Sequence, residues 1–116
     1  MNRGNKFFAK RTVCAQGHTH ASGREAKRCA ELHLLLRAGE IEDLEMQPQF
    51  WFVIDGKPMK HDNGRRVGYK ADFRYTDRQT AALVVEDSKG PFRDDAWTLR
   101  KAIFRALFPE LLLREV

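Results

Sequence analysis

Two short segments, Gly68-Tyr69-Lys70-Ala71-Asp72-Phe73 and Leu83-Val84-Val85-Glu86-Asp87-Ser88-Lys89-Gly90, place acid inside apolar, strand-like runs. An ionised carboxylate buried in a sheet is costly unless a cation or hydrogen bonds compensate it, so the fold must bring these acids to a compensating partner. Side chains alternate along a strand: Leu83, Val85, Asp87 and Lys89 share one face, and Glu86 points to the other. Glu86 becomes a ligand only where a bulge re-aims it. A hairpin through Thr76-Asp77-Arg78-Gln79-Thr80 sets Asp72 beside Asp87, and two such carboxylates repel unless a divalent cation separates them. Mg2+ or Mn2+ suits an oxygen-rich site of this kind. Lys89 beside it can orient water or neutralise charge developing on a phosphate. The bland alternative is a surface ion pair between Asp87 and Lys89, with Asp72 ending a strand.

The chain's 116 residues, 42% hydrophobic and 32% charged, supply one modest core, so a single domain over 1–116 is expected. Arg11 to Ala21 reads as a short hairpin around Gln16-Gly17. Ser22-Gly23-Arg24-Glu25 opens a helix in the pattern of a capping box, and Gly39 closes it. Leu44 to Ile54, broken by Pro48, predicts an edge or bulged strand. Asp55-Gly56-Lys57-Pro58 is a turn, followed by a polar loop to Arg66. Val67 to Tyr75 and Ala81 to Ser88 form a second hairpin. Asp94 to Phe108 carries Trp97, Lys101, Phe104 and Phe108 at helical spacing before Pro109. Leu111-Leu112-Leu113 reads as a last strand or an extension of that helix. The order predicts an α/β fold, a small mixed sheet flanked by helices and preceded by an N-terminal β-hairpin.

Glu25 is open to two readings. It can bond back to the Ser22 backbone as part of the capping box. It also starts a stripe with Cys29, Leu32 and Leu36 that should face the sheet, where a helix can lend a carboxylate to a strand-based metal site.

Twenty-one Lys and Arg against sixteen Asp and Glu give a net charge of +5, which favours a polyanionic partner. Cations available for phosphates are Arg93, Arg100, Lys101 and Arg105 around the second helix and Lys6, Lys10 and Arg11 in a basic N-terminal arm. No base-reading motif accompanies them. Cys14, His18, His20 and Cys29 are close in sequence and of the types that hold a structural Zn2+, although their spacing is not a recognised finger and Cys29 also suits a buried core position. No apolar run approaches the roughly 18 residues of a membrane span, and the N-terminus lacks a signal-peptide apolar region. A cytoplasmic protein without membrane contact is therefore expected.

Together these residues resemble the PD-(D/E)XK nuclease superfamily: Glu25 on the first helix, Asp72 on the second strand, and Asp87-Ser88-Lys89 on the third. Ala71 stands where that motif's proline would be. Within the superfamily the chain looks most like a family of small phage and prophage proteins of unassigned function. Its stations appear at Glu31-Leu32, Ala38-Gly39-Glu40-Ile41, Gln47-Pro48-Gln49-Phe50, Ala71-Asp72-Phe73 and Glu86-Asp87-Ser88-Lys89-Gly90. The resemblance implies a restriction-endonuclease-like core, Mg2+-dependent phosphodiester hydrolysis, a DNA substrate and a bacterial host's cytoplasm. It further implies that Asp72, Asp87 and the Ser88 main-chain carbonyl hold the metal, Lys89 positions the water, and Glu25 holds a second metal or its water. Structure-specific cutting of branched or Holliday-junction-like DNA, in recombination or genome processing, is the expected activity, and paired nicks call for a homodimer. A non-catalytic DNA-binding or packaging accessory protein on the same scaffold is the alternative. Retention of Glu25, Asp72, Asp87 and Lys89 favours the enzyme.

Overall fold

A kink shared by two adjacent strands organises the sheet around the candidate site. The computed structural model describes residues 12–13, 19–20, 23–88 and 94–116. Within it, β3 (Ile41–Met46) pairs with β8 (Phe73–Asp77), and β4 (Gln49–Trp51) pairs with β7 (Gly68–Lys70), both antiparallel. The two pairs would form one long ribbon but for Gln47-Pro48 facing Ala71-Asp72. Proline brings no N–H to a ladder, and Gln47 takes a positive φ of 49°. The Gln47 N–H donates to the Asp72 carbonyl and the Ala71 N–H to the Pro48 carbonyl, so the kink is bonded across its full width. The expected strand from Val67 to Tyr75 is therefore two strands, and Asp72 lies in the break between them.

Before the kink, β1 (Thr12–Val13) and β2 (Thr19–His20) form the expected N-terminal antiparallel hairpin. Helix α1 (Gly23–Arg37) follows, burying Glu25, Ala26, Cys29 and Leu32 at helical spacing. It ends as its sequence predicts: Gly39 takes a φ of 78°, and the Glu40 N–H reaches back to the Leu35 carbonyl. Strand β3 is bulged between Glu42 and Glu45, with Asp43 at a φ of 56°.

Beyond the kink the ribbon continues as the hairpin of β5 (Val53–Ile54) and β6 (Lys57–Pro58). Its turn is Asp55-Gly56 alone, both at positive φ, so Lys57 and Pro58 return as strand. Strand β9 (Leu83–Asp87) is central, antiparallel to β8 on one side and parallel to β10 (Leu111–Glu115) on the other. The parallel connection needs a crossover, supplied by α2 (Asp95–Leu107). Asp94 caps α2 by accepting from the Trp97 N–H, and Pro109 follows the end, so Leu111 to Glu115 form a strand and not more helix.

The fold is thus a small mixed α/β domain with one helix on each side of a four-stranded sheet. Phe73, Tyr75 and Val84 pack under α1, and Val85, Leu113 and the ribbon's Phe50 and Tyr69 pack with Phe104 of α2. Among the described residues no helix is long and apolar enough to cross a membrane.

The ribbon also has little room to spare. A Cβ at Gly68 would stand 2.5 Å from the Phe50 carbonyl oxygen and 2.9 Å from the Trp51 ring. Gly68→Ala is expected to cost about 1–3 kcal/mol, roughly 4–12 °C in melting temperature. An unchanged melt would show that the ribbon yields freely there.

Candidate active site

The parity of β9 decides what each of its acids meets. Its register shows no bulge, so Glu86 and Asp87 face opposite sides of the sheet. Glu86 is 0% exposed under α1 and receives a two-pronged grip from Arg28: Nε donates to Oε1 at 2.8 Å and Nη2 to Oε2 at 2.7 Å. The Tyr75 hydroxyl also donates to Oε2. Both donors stay protonated. Arg28 is held above its ordinary range by the bonds to Glu86, and Tyr75 is pushed up to about 12, first by burial and then by Glu86. Both Glu86 oxygens are therefore committed within the protein.

Asp87, 3% exposed, faces the α2 side. Its Oδ2 accepts from the Tyr69 hydroxyl at 2.5 Å, and burial followed by that bond raises the phenol well above its ordinary range. Asp72 reaches the same place from the kink. Its backbone N–H donates to the Glu86 carbonyl, and its Oδ2 accepts the Ser88 N–H at 2.6 Å. The Asp72 carboxyl is pushed up to about 7, first by burial, then by the charges of Asp87 and Glu25 and a hydrogen bond with Asp87. The Ser88 N–H opposes that rise. Glu25, buried at 5% exposure in the first turn of α1, is thus close enough to act electrostatically on Asp72. The sequence left Glu25 between a helix cap and a site acid; in the structure its charge and that of Asp87 both act on Asp72.

The donor set is oxygen only, and like charges are held together at the cost of a proton on Asp72, a strain that a divalent cation relieves. Ser88 adds a buried hydroxyl oxygen without a hydrogen-bond partner among the described residues. Among the described residues no three His, Cys, Asp or Glu side chains form a group that could hold a metal ion. The residues present fit Mg2+, which is commonly held by one or two carboxylates, with waters and substrate phosphate completing the shell.

Lys89 and Arg93 lie outside the described residues, as do Lys6, Lys10, Arg11, Cys14 and His18, while His20 is described only as part of β2. Of the candidate zinc ligands, Cys29 alone is described with its side chain. It is buried between α1 and the sheet, its Sγ 3.9 Å from the Met46 sulfur and 3.6 Å from His33 Nδ1. Lys101 turns to the protein: its Nζ bonds Glu115 Oε2 at 3.1 Å and lies 5.8 Å from the Trp97 ring centre. Arg100 and Arg105 sit on α2, with Arg105 exposed.

Two groups escaped the sequence reading. Glu115 stands level with Asp87 on the neighbouring parallel strand, bonded to Trp97 Nε1 and Lys101. A cavity of about 300 Å3 opens at Ser88 and is lined by Arg24, Lys27, Arg28, Glu31 and Val116. Its cations were legible as a basic face around Glu25, spaced 24, 27 and 28 on one helix.

A family model described as "Protein of unknown function (DUF1064)" matches residues 4–116, and the chain belongs to that family. No curated protein and no solved structure matches it.

Proposed function

We propose that this member of the DUF1064 family is a Mg2+-dependent endodeoxyribonuclease of the PD-(D/E)XK kind, acting on branched DNA. One observation carries the reading: Asp72 and Asp87 lie against each other where strands adjoin, with Glu25 near enough to help hold a proton on Asp72. A merely structural pair would more simply be separated or paired with cations. The four-stranded mixed sheet between two helices is of the type that the resemblance implies. Asp72, Asp87 and the Ser88 carbonyl would hold the ion, with the Ser88 N–H and the Tyr69 hydroxyl orienting the two carboxylates.

When bound, Mg2+ supplies a Lewis acid for the scissile phosphate and favours deprotonation of the attacking water. Tyr69, kept protonated by burial, fixes the Asp87 carboxylate. The Ser88 N–H fixes Asp72. Lys89, the cation that follows Asp87 by two residues, orients the attacking water, and Arg24 and Lys27 at the cavity mouth offer charge to flanking phosphates.

Incubated in Mg2+ with a four-way junction, a forked duplex and a linear duplex, the full chain is expected to cut the branched substrates and to stop in EDTA. Lys89→Ala should lower the rate by about 10^2- to 10^3-fold. Cleavage that proceeds unchanged in both Lys89→Ala and Asp72→Ala would remove the assignment.

A further inference from the structure

The β4–β7 ribbon carries, on its face away from α2, a group that the chemistry above leaves unused. Trp51 pairs with Gly68 in register, and its ring lies across the glycine, in the space a side chain there would need. The indole is nevertheless 43% exposed. The Arg66 guanidinium sits 4.7 Å from its ring centre, within cation–π range. In the same stretch of chain Lys57, Lys60, Arg65 and Lys70 are exposed, together with Val53, Ile54, Asp55 and Asp62. Among the described residues none of these cations, Arg66 included, forms a salt bridge. Lysine-rich surroundings disfavour an apolar protein partner and favour a polyanion.

The step is also connected to the acid pair. Lys70 precedes Asp72 by two residues, and four residues of chain place Gly68 at most roughly 13 Å from it. Bases inside a duplex have no free face, whereas unpaired bases stack on indole and guanidinium planes.

We infer that Trp51 and Arg66 form a stacking step for an unpaired nucleobase of the DNA strand that passes along Lys70 to the acid pair. The inference rests on the nuclease reading and gives it a substrate class, duplex DNA joined to unpaired bases.

The test is binding in EDTA, where no strand is cut, of a forked duplex with single-stranded arms and a blunt duplex of equal length. Anisotropy and tryptophan emission are both followed. Wild-type protein is expected to bind the fork about tenfold more tightly, with emission quenched. Trp51→Ala should bring the two affinities within about twofold. Trp51→Phe, which keeps an aromatic face and leaves Trp97 as the reporter, should retain most of the preference and lose the quenching. A fork preference that survives in Trp51→Ala overturns the stacking step and leaves the nuclease reading standing. Wild-type protein that binds neither DNA overturns both. Trp51→Ala that dissociates a dimer while DNA preference is unchanged gives this face to a second copy of the chain and overturns the inference.

Discussion

Asp72→Asn is expected to lose Mg2+-dependent cleavage by at least about 10^3-fold and, in EDTA at pH 8, to melt higher than wild-type protein. The two effects have one cause. Without a cation, the folded protein holds the Asp72 carboxyl at about 7 against an ordinary 3.8, through burial and the neighbouring Asp87 and Glu25. The proton on Asp72 therefore favours the folded state. That contribution is fully present below about pH 4, where the unfolded chain is protonated too, and is lost as pH rises towards 7. Asparagine is neutral throughout. Its oxygen can still accept from the Ser88 N–H, and its amide can donate to Asp87. For a fully buried acid the displacement would be worth about 4 kcal/mol. Asp72 is only partly buried, and solvent screening brings this to about 1–2 kcal/mol, roughly 4–8 °C. The gain should shrink towards pH 4, and Mg2+ should raise the melt of wild-type protein at pH 8 but not that of the variant. Thermal melts from pH 4 to 8 with and without Mg2+, beside a cleavage assay, read both effects. An Asn variant that is less stable at pH 8 in EDTA would show that the three carboxylates do not strain the fold.

The elements whose signals are local were legible. Helix α1 declares itself by apolar spacing and by a glycine that the left-handed end requires, and α2 by Trp97 and Phe104 ahead of Pro109. The break at Asp72 was not. Tyr69, Ala71, Phe73 and Tyr75 continue a perfect alternation, and nothing within that run interrupts it. The interruption comes from Pro48 on the partner strand, so it exists only once pairing is known. For the same reason Lys57 and Pro58 read as turn: composition marks the neighbourhood, but positive φ at Asp55 and Gly56 confines the reversal to two residues.

The site divides along the same line. Strand parity alone separated Asp87 from Glu86, because β9 runs without a bulge. Glu115 was out of reach. Its place beside Asp87 is set by a parallel crossover whose register depends on how α2 packs, and a tail of Leu111-Leu112-Leu113 gives strand and helix equal support. Lys101 at helical spacing from Trp97 read as a phosphate contact or a solvated helix residue, and the position of Glu115 turns it inward. The partner of Glu86 was likewise invisible, since Arg28 looks like any helix cation until α1 is laid on the sheet.

That partner sets the largest stability effect expected here. Arg28→Met should destabilise the fold by about 3–5 kcal/mol, because it leaves a fully buried Glu86 with the Tyr75 hydroxyl in place of a bidentate guanidinium. Adding Glu86→Leu should restore most of the loss, since the cost lies in the uncompensated charge and not in the absence of an ion pair. Urea unfolding of the four members of this cycle gives the coupling directly, and a single variant costing under about 1 kcal/mol would show that Glu86 finds other compensation. The pair also has a place in the geometry of the site. Arg28 follows Glu25 by one turn of α1, and Glu86 precedes Asp87 on β9, so the grip ties the helix turn that carries one acid to the strand that carries another. An apolar pair can restore stability without fixing that alignment. The double variant should therefore fold like wild-type protein yet cut DNA about tenfold more slowly.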